Sequence, residues 1–93
     1  MSERWEHHKQ TVLLIRQNLE SALSPSYLEV LDESHQHIGH TAAELEPKKG
    51  HFKVIISSIR MQNLNKIAQH QLVYKALAGL MPRIHALSIS VVG

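Results

Sequence analysis

The chain has no cysteine among its 93 residues, and that absence removes a whole kind of protein from consideration. A disulfide framework is excluded, and any chemistry that needs thiolate ligands must take them from another molecule. Long hydrophobic runs are also missing, since the stretch "VLLI" at 12–15 is too short for the apolar part of a signal peptide and far too short to cross a bilayer. We therefore expect a cytoplasmic protein without membrane association.

The chain also has little excess of charge of one sign. Ten Lys and Arg residues against eight Asp and Glu residues give a formal net charge of +2, which by itself is too little to indicate nucleic-acid binding.

Motifs of known enzyme classes are absent as well. The sequence contains no P-loop, no dinucleotide-binding fingerprint and no nucleophile elbow. No catalytic base stands with an obvious nucleophile or acid partner. We therefore do not expect an enzyme.

What the chain does contain is typical of one small globular domain over residues 1–93. Hydrophobic residues make up 43% and charged residues 19% of the sequence, a balance that supports one core in a chain too short for two. Histidine is abundant: the chain has eight, and four of them fall in "HQHIGHTAAELEPKKGH" at 35–51. Such a cluster indicates either a metal site or a polar loop rich in imidazole.

Two segments carry apolar residues at the three- and four-residue spacing of an amphipathic helix. The first runs over 6–23 and ends before Pro25, and the second runs over 64–80 and ends before Pro82. In the second helix we expect the buried stripe to consist of Leu64, Ile67, Ala68, Leu72, Ala76 and Leu80. A turn ahead of this helix would make the pair similar to a helix-turn-helix.

Three segments alternate as half-buried strands do, at 27–32, 51–58 and 84–92, and 33–50 is expected to be an enlarged loop. In the last strand His85 has the parity of Leu87, so its ring is expected to face the helix-covered side. The element order α-β-β-α(α)-β predicts an α+β two-layer sandwich. It is a three-stranded mixed sheet with helices on one face and with the last strand parallel to its neighbour.

Four words of the sequence carry a family resemblance. "YLEVLDESHQH", "HFKVIISS", "QHQLVYKAL" and "RIHALSI" stand in the order and at the spacing of the BolA-like proteins, and the chain resembles that family over nearly its whole length. The resemblance implies the BolA fold, which is similar to the class II KH fold. It also implies a non-enzymatic partner of a monothiol glutaredoxin that shares a [2Fe-2S] cluster with it, in iron-sulfur cluster trafficking or iron regulation.

The resemblance also assigns ligands. In complexes of this family the glutaredoxin cysteine and glutathione hold one side of the cluster, and the BolA-like protein supplies the other. The matching residues here are His85, in the word "RIHALSI", and His37, three residues after Ser34. Histidine has a precedent as a cluster ligand in Rieske centres. Alone, the chain is expected to carry no cofactor and to be a monomer or a weak homodimer.

Other histidines stay open as alternatives. His35, His40 and His51 are weaker candidates for the second ligand. His35, His37 and His40 could also chelate zinc or nickel without a partner, although zinc sites generally need three or four ligands held by supporting hydrogen bonds.

Nucleic-acid binding is the second function class, through a helix-turn-helix or KH-like surface. The candidate contacts are Lys53, Arg60, Lys66 and Lys75. Their ordinary interpretation is a solvated face. The family tends to have an aromatic residue and a glycine before the second helix, and an arginine on each side of the helix histidine His70. This chain departs from both habits, with Met61, Asn63, Gln69 and Gln71 at those positions. Losing the two arginines removes positive charge from the helix and weakens this interpretation.

Overall fold

The structure is a computed structural model that describes residues 3–34 and 49–93. Its elements, in chain order, are α1 (Glu3–Leu23), β1 (Tyr27–Asp32), β2 (Gly50–Ser57), a 3-10 turn (Ile59–Met61), α2 (Lys66–Ala76), a second 3-10 segment (Ala78–Arg83) and β3 (Ile84–Val91). This order confirms the predicted succession of helices and strands. Within these residues, neither helix is both long enough and apolar enough to cross a membrane.

Helix α1 buries one face against the sheet. Ile15 and Leu19 are fully buried and Leu23 nearly so, because residues four apart lie on the same face of a helix. The helix ends at Leu23 because Ser24 adopts the left-handed conformation, with a φ of 44°. The Ser24 N–H donates to the Glu20 carbonyl at 3.1 Å and closes the last turn.

Helix α2 is shorter than the predicted helix over 64–80. Asn65 caps its start, because the Asn65 Oδ1 accepts a hydrogen bond from the Ala68 N–H at 2.8 Å. Leu64 therefore lies outside the helix. At the other end the α-helix stops at Ala76, and the chain tightens into the second 3-10 segment, which contains Pro82.

The buried face of α2 also differs from the predicted stripe. Val73, and Leu77 directly after the helix, are fully buried although neither belongs to that stripe, whereas Ile67 is 71% exposed. Leu72, Ala76 and Leu80 of the stripe are half-buried beside this core. The predicted stripe was centred one position too early, since Val73 and Leu77 lie 100° further round the helix than Leu72 and Ala76.

The sheet has the order β1-β2-β3, with β1 antiparallel and β3 parallel to β2, which confirms the predicted mixed sheet. Buried residues of both helices and of all three strands form one core, made of Ile15, Leu19, Leu23, Val30, Phe52, Val54, Ile56, Met61, Val73, Leu77 and Ile84. Both helices therefore pack on one face of the sheet, the covered face. The opposite, open face carries the alternate residues of β2, such as Lys53 and Ile55, which are half-buried.

The start of β3 breaks the regular alternation. Gly50 pairs with Ile84 but the next residue, His51, pairs with Ala86, so β3 holds one extra residue, His85, in a β-bulge. Ile84 remains in the core, and His85 is exposed. The prediction that the His85 ring faces the helix-covered side is therefore wrong, because it assumed strict alternation through residues 84–92.

Candidate functional site

Two imidazole rings meet where β2 and β3 begin. His51 is the second residue of β2 and His85 the second residue of β3, and their ring centroids are 5.0 Å apart with an interplanar angle of 59°. The parallel pairing of the strands and the bulge bring them together, since His51 lies opposite Ala86. His85 is exposed, whereas the Nε2 atom of His51 is shielded from solvent. We call these two residues the histidine pair.

The two rings of the histidine pair are in contact but differ in their access to solvent. Because the His51 Nε2 is shielded, His85 is the ring of the pair that a partner reaches first.

The end of β1 holds the backbone of His51. The Glu33 N–H donates to the His51 carbonyl at 2.7 Å, and the His51 N–H donates to the Ser34 Oγ at 3.0 Å. The Ser34 N–H in turn donates to the Asp32 Oδ1 at 2.9 Å. The base of the site is therefore a set of hydrogen bonds between the end of β1 and the start of β2.

Arg83 anchors the entrance of β3 to helix α1. Its Nε donates to the Oγ1 of the fully buried Thr11 at 2.9 Å, and its Nη2 donates to the Gln10 Oε1 at 3.0 Å and to the His7 carbonyl at 3.4 Å. A guanidinium suits this role because its planar fork can donate several hydrogen bonds in one fixed orientation. The backbone two residues before His85 is thereby fixed against the helix.

Three of the predicted ligand residues, His35, His37 and His40, lie outside the described residues. The pairing of His37 with His85 and the zinc alternative both stay predictions. In the parts of the chain that the structure does describe, no group of three His, Cys, Asp or Glu side chains could hold a metal ion. A metal centre at the histidine pair would therefore take further ligands from residues 35–48 or from another molecule.

The basic residues proposed to contact nucleic acid do not share one surface. Lys53 has the parity of the open face of β2, whereas α2 packs on the covered face. Lys66 and Lys75 are nine residues apart on α2, which at 100° per residue places them on opposite sides of the helix. Arg60 is exposed in the 3-10 turn that precedes α2. The Gln69 amide donates to the carbonyl of Met61 at 3.0 Å and ties that turn to α2.

Sequence reasoning ranked His51 low and gave Ser34 no role of its own. A signal for His51 did exist, because His51 and His85 each stand at the start of a strand and the predicted order makes those strands parallel neighbours. Ser34 had no such signal, since a hydrogen bond that a side chain accepts from a backbone N–H 17 residues away depends on the register of the strands.

The fold defines the class of protein: it is a small α+β domain in which helices cover one face of a mixed three-stranded sheet. The comparison with protein families then gives the particular family. The family model described as "BolA-like protein" matches residues 19–92, and the chain belongs to this family. The resemblance seen in the sequence is thereby confirmed.

Individual relatives and structures agree. The chain is 41% identical over 76 residues to human BolA-like protein 1, a match that covers 81% of this chain and 52% of the human protein. It is 34% identical over 76 residues to the DNA-binding transcriptional regulator BolA of Escherichia coli, covering 81% of this chain and 68% of that protein. It is similar to the solved BolA domain of SufE1 from Arabidopsis thaliana, with a TM-score of 0.72, 37% identity and coverage of 86% of this chain and 87% of that one. The chain thus spans about half the length of the human relative.

Proposed function

We propose that this BolA-like chain is an interaction protein that binds a monothiol glutaredoxin and, with glutathione, helps to hold a shared [2Fe-2S] cluster. It would act in iron-sulfur cluster trafficking or iron regulation. We expect it to do so in the cytoplasm. In this proposal His85 is the first ligand from this chain and His37 the second. The observation that carries the proposal is the exposed imidazole of His85, which the bulge in β3 turns away from the core and toward a second imidazole.

The composition of the chain supports a cluster site to which other molecules contribute some of the ligands. The chain has no cysteine, so thiolate ligands would come from the partner and from glutathione. A ligand on a strand is held more rigidly than one on a loop, and a bulge is a common device for re-aiming a side chain next to a functional site. The similarity to the BolA domain of SufE1 is consistent with a context of iron-sulfur chemistry.

The second ligand, His37, is the one that the resemblance to the BolA-like proteins implies, three residues after Ser34 in the sequence. Ser34 itself lies beside the histidine pair, because its Oγ accepts a hydrogen bond from the His51 N–H. In this arrangement His51 supports the ring of His85 rather than binding iron through its shielded Nε2. His51, His35 and His40 remain the alternatives for the second ligand.

The test is to mix the cluster-free protein with a cluster-loaded monothiol glutaredoxin and glutathione. We expect the visible absorption and circular dichroism of the cluster to change when the wild-type protein is added, because its ligands change. His85→Ala is expected to remove most of that change, and His37→Ala is expected to reduce it. If the wild-type protein alters neither spectrum and forms no complex, the proposed function is wrong.

A matched control separates the loss of a ligand from the loss of any histidine. His70 is half-buried in α2, which packs on the covered face, and His70→Ala should leave the cluster spectra as they are in the wild type. His51→Ala completes the set: a larger loss than with His37→Ala would transfer the role of second ligand to His51.

Nucleic-acid binding is kept as a second candidate because the Escherichia coli relative is named as a DNA-binding transcriptional regulator. In this chain the candidate contacts Lys53, Arg60, Lys66 and Lys75 are spread over the open face of the sheet, the 3-10 turn and opposite sides of α2. So scattered a set would neutralise few phosphates at once, and binding through phosphates weakens with salt in proportion to their number. The salt dependence of any binding to duplex or single-stranded probes separates this function from cluster sharing.

A further inference from the structure

We propose that Ser34 is a positioning residue for the histidine pair. Its hydroxyl fixes the backbone of His51, the His51 ring lies against the His85 ring, and Ser34 thereby sets how the exposed imidazole of His85 is presented. The inference deepens the proposed function and rests on it for the importance of His85. The positioning itself concerns only contacts within this chain.

The first step is the position of the Ser34 hydroxyl in the sheet. In a regular antiparallel ladder, two residues of a hydrogen-bonded pair exchange both of their N–H to carbonyl bonds. In this pair the Glu33 N–H donates to the His51 carbonyl at 2.7 Å. In the other direction the His51 N–H donates to the Ser34 Oγ at 3.0 Å. One side chain thus completes the last rung between β1 and β2.

The second step is that Ser34 is itself held in place. Its N–H donates to the Asp32 Oδ1 at 2.9 Å, a hydrogen bond to a residue two positions earlier that shapes a local turn. Gly50 allows the close approach: a Cβ there would lie 2.8 Å from the Ser34 Oγ and 2.5 Å from the Phe52 ring. The hydroxyl therefore sits against the bare backbone of Gly50.

The third step connects the rung to the ring of His85. The shift in strand register falls between Gly50 and His51, and it is this shift that makes His85 the extra residue of β3. The rung closed by Ser34 holds His51 on the β1 side of β2, and Ala86, which follows His85, pairs with His51 on the β3 side. If His51 moves, the ring contact of 5.0 Å with His85 changes with it.

The experiment compares Ser34→Ala with Ser34→Thr, which keeps a hydroxyl. In the cluster-free protein, amide hydrogen exchange at His51 should be about fivefold faster in Ser34→Ala, the factor expected for losing one ordinary hydrogen bond. The nuclear Overhauser effects between the His51 and His85 rings should weaken. With cluster-loaded glutaredoxin and glutathione, the change in visible circular dichroism should be smaller than with wild type. Ser34→Thr should restore all three measurements toward the wild type.

Ser26→Ala is the matched control. The Ser26 hydroxyl also links β1 to β2, by donating to the Ser57 carbonyl at 3.3 Å, but it does so at the opposite end of the two strands. It should change neither the His51 amide nor the ring contact, and far-ultraviolet circular dichroism verifies that every variant is folded.

Two results would overturn the inference. One is a Ser34→Ala protein whose His51 exchange and ring contact match those of Ser26→Ala, and the other is a Ser34→Thr protein that behaves like Ser34→Ala. A failure of the proposed function looks different, because the wild-type protein would then leave the cluster spectra unchanged. In that case the two measurements on the cluster-free protein still decide whether Ser34 positions the pair.

Discussion

The two faces of β2 are made by alternate residues of a single strand, yet one face packs in the core and the other carries part of the candidate site. On the covered face Phe52, Val54 and Ile56 have 1%, 0% and 0% of their surface exposed, and they pack under both helices. On the open face the same strand carries His51 and Lys53, which are half-buried. Since β2 lies between the other two strands, it supplies the centre of the core and the base of the histidine pair at the same time.

The difference shows how a small domain can keep stability and chemistry apart. Burial of apolar side chains stabilises the fold, and on β2 it is concentrated in the residues of one parity. Residues of the other parity can change with little effect on folding. The two faces meet at the start of the strand, where a Cβ added at Gly50 would meet both the Phe52 ring and the Ser34 hydroxyl. Changes at that point should affect both faces.

The largest expected effect on stability comes from removing a buried side chain on the covered face. Phe52→Ala should lower the free energy of unfolding by about 3–5 kcal/mol, because it removes a large buried ring and leaves a cavity. Lys53→Ala, the next residue on the same strand, should stay within about 0.5 kcal/mol of the wild type because its side chain is on the open face. Urea unfolding measures both variants.

A loss of about 3–5 kcal/mol is a large part of the stability of a small domain, so Phe52→Leu serves as the milder variant, with an expected loss of about 1 kcal/mol. The division between the faces would be refuted if Lys53→Ala and Phe52→Ala had similar effects.

A smaller effect is expected where the two faces meet. Gly50→Ala would place a Cβ 2.5 Å from the Phe52 Cζ and 2.8 Å from the Ser34 Oγ, closer than unbonded atoms can lie. Neither neighbour can move freely, because Phe52 is buried in the core and Ser34 accepts the hydrogen bond from His51. We expect a loss of about 1–3 kcal/mol, as for other overpacked sites, together with faster amide exchange at His51.

Gly79→Ala is the control for this substitution. An added Cβ at Gly79 meets no atom within 4 Å, so the variant should be neutral or more stable by about 0.4–1 kcal/mol. Thermal unfolding of the two proteins side by side gives the comparison. Equal losses in both would mean that the contacts of Gly50 do not matter.

Periodicity predicted the architecture because burial has a simple period. The alternation of Phe52, Val54 and Ile56 and the four-residue spacing of Ile15 and Leu19 follow from the geometry of strands and helices, and both appear in the core. The same reasoning misjudged α2. The Asn65 cap sets where that helix begins, and a cap is a local hydrogen bond that hydrophobic spacing does not report. The buried face follows Val73 and Leu77 rather than Leu72 and Ala76, and spacing alone does not choose between adjacent positions that are both apolar.

The site was less predictable for a physical reason. His85 was identified through the family resemblance, but its direction was wrong because a single extra residue in β3 breaks the alternation of side chains between the two faces. The contact between His51 and His85 depends on that bulge. The role of Ser34 depends on the register of β1 against β2. Both are set by how strands pair across the sheet, which a linear pattern specifies only in part.

The smallest expected effect lies on β1, at the other end of the strand from the Ser34 rung, where Tyr27 is 50% exposed and its hydroxyl donates to the Glu29 Oε1 at 3.0 Å. This hydrogen bond, and then the negative charge of Glu29, raises the pKa of Tyr27 above its ordinary value of 10.0. Because the folded state favours the neutral phenol, the contribution to stability is present below pH 10.0 and is lost as the pH rises through the higher pKa of the folded state.

In a Tyr74→Phe background, an absorbance titration reports Tyr27 alone. Glu29→Ala should return its pKa to the ordinary value, whereas Glu29→Gln should lower it only in part, because the amide oxygen still accepts the hydrogen bond while the charge is gone. A titration that Glu29→Ala leaves unchanged would contradict the assignment. In either variant the histidine pair should keep its ring contact, because the interaction of Tyr27 with Glu29 lies at the far end of β1 from the Ser34 rung.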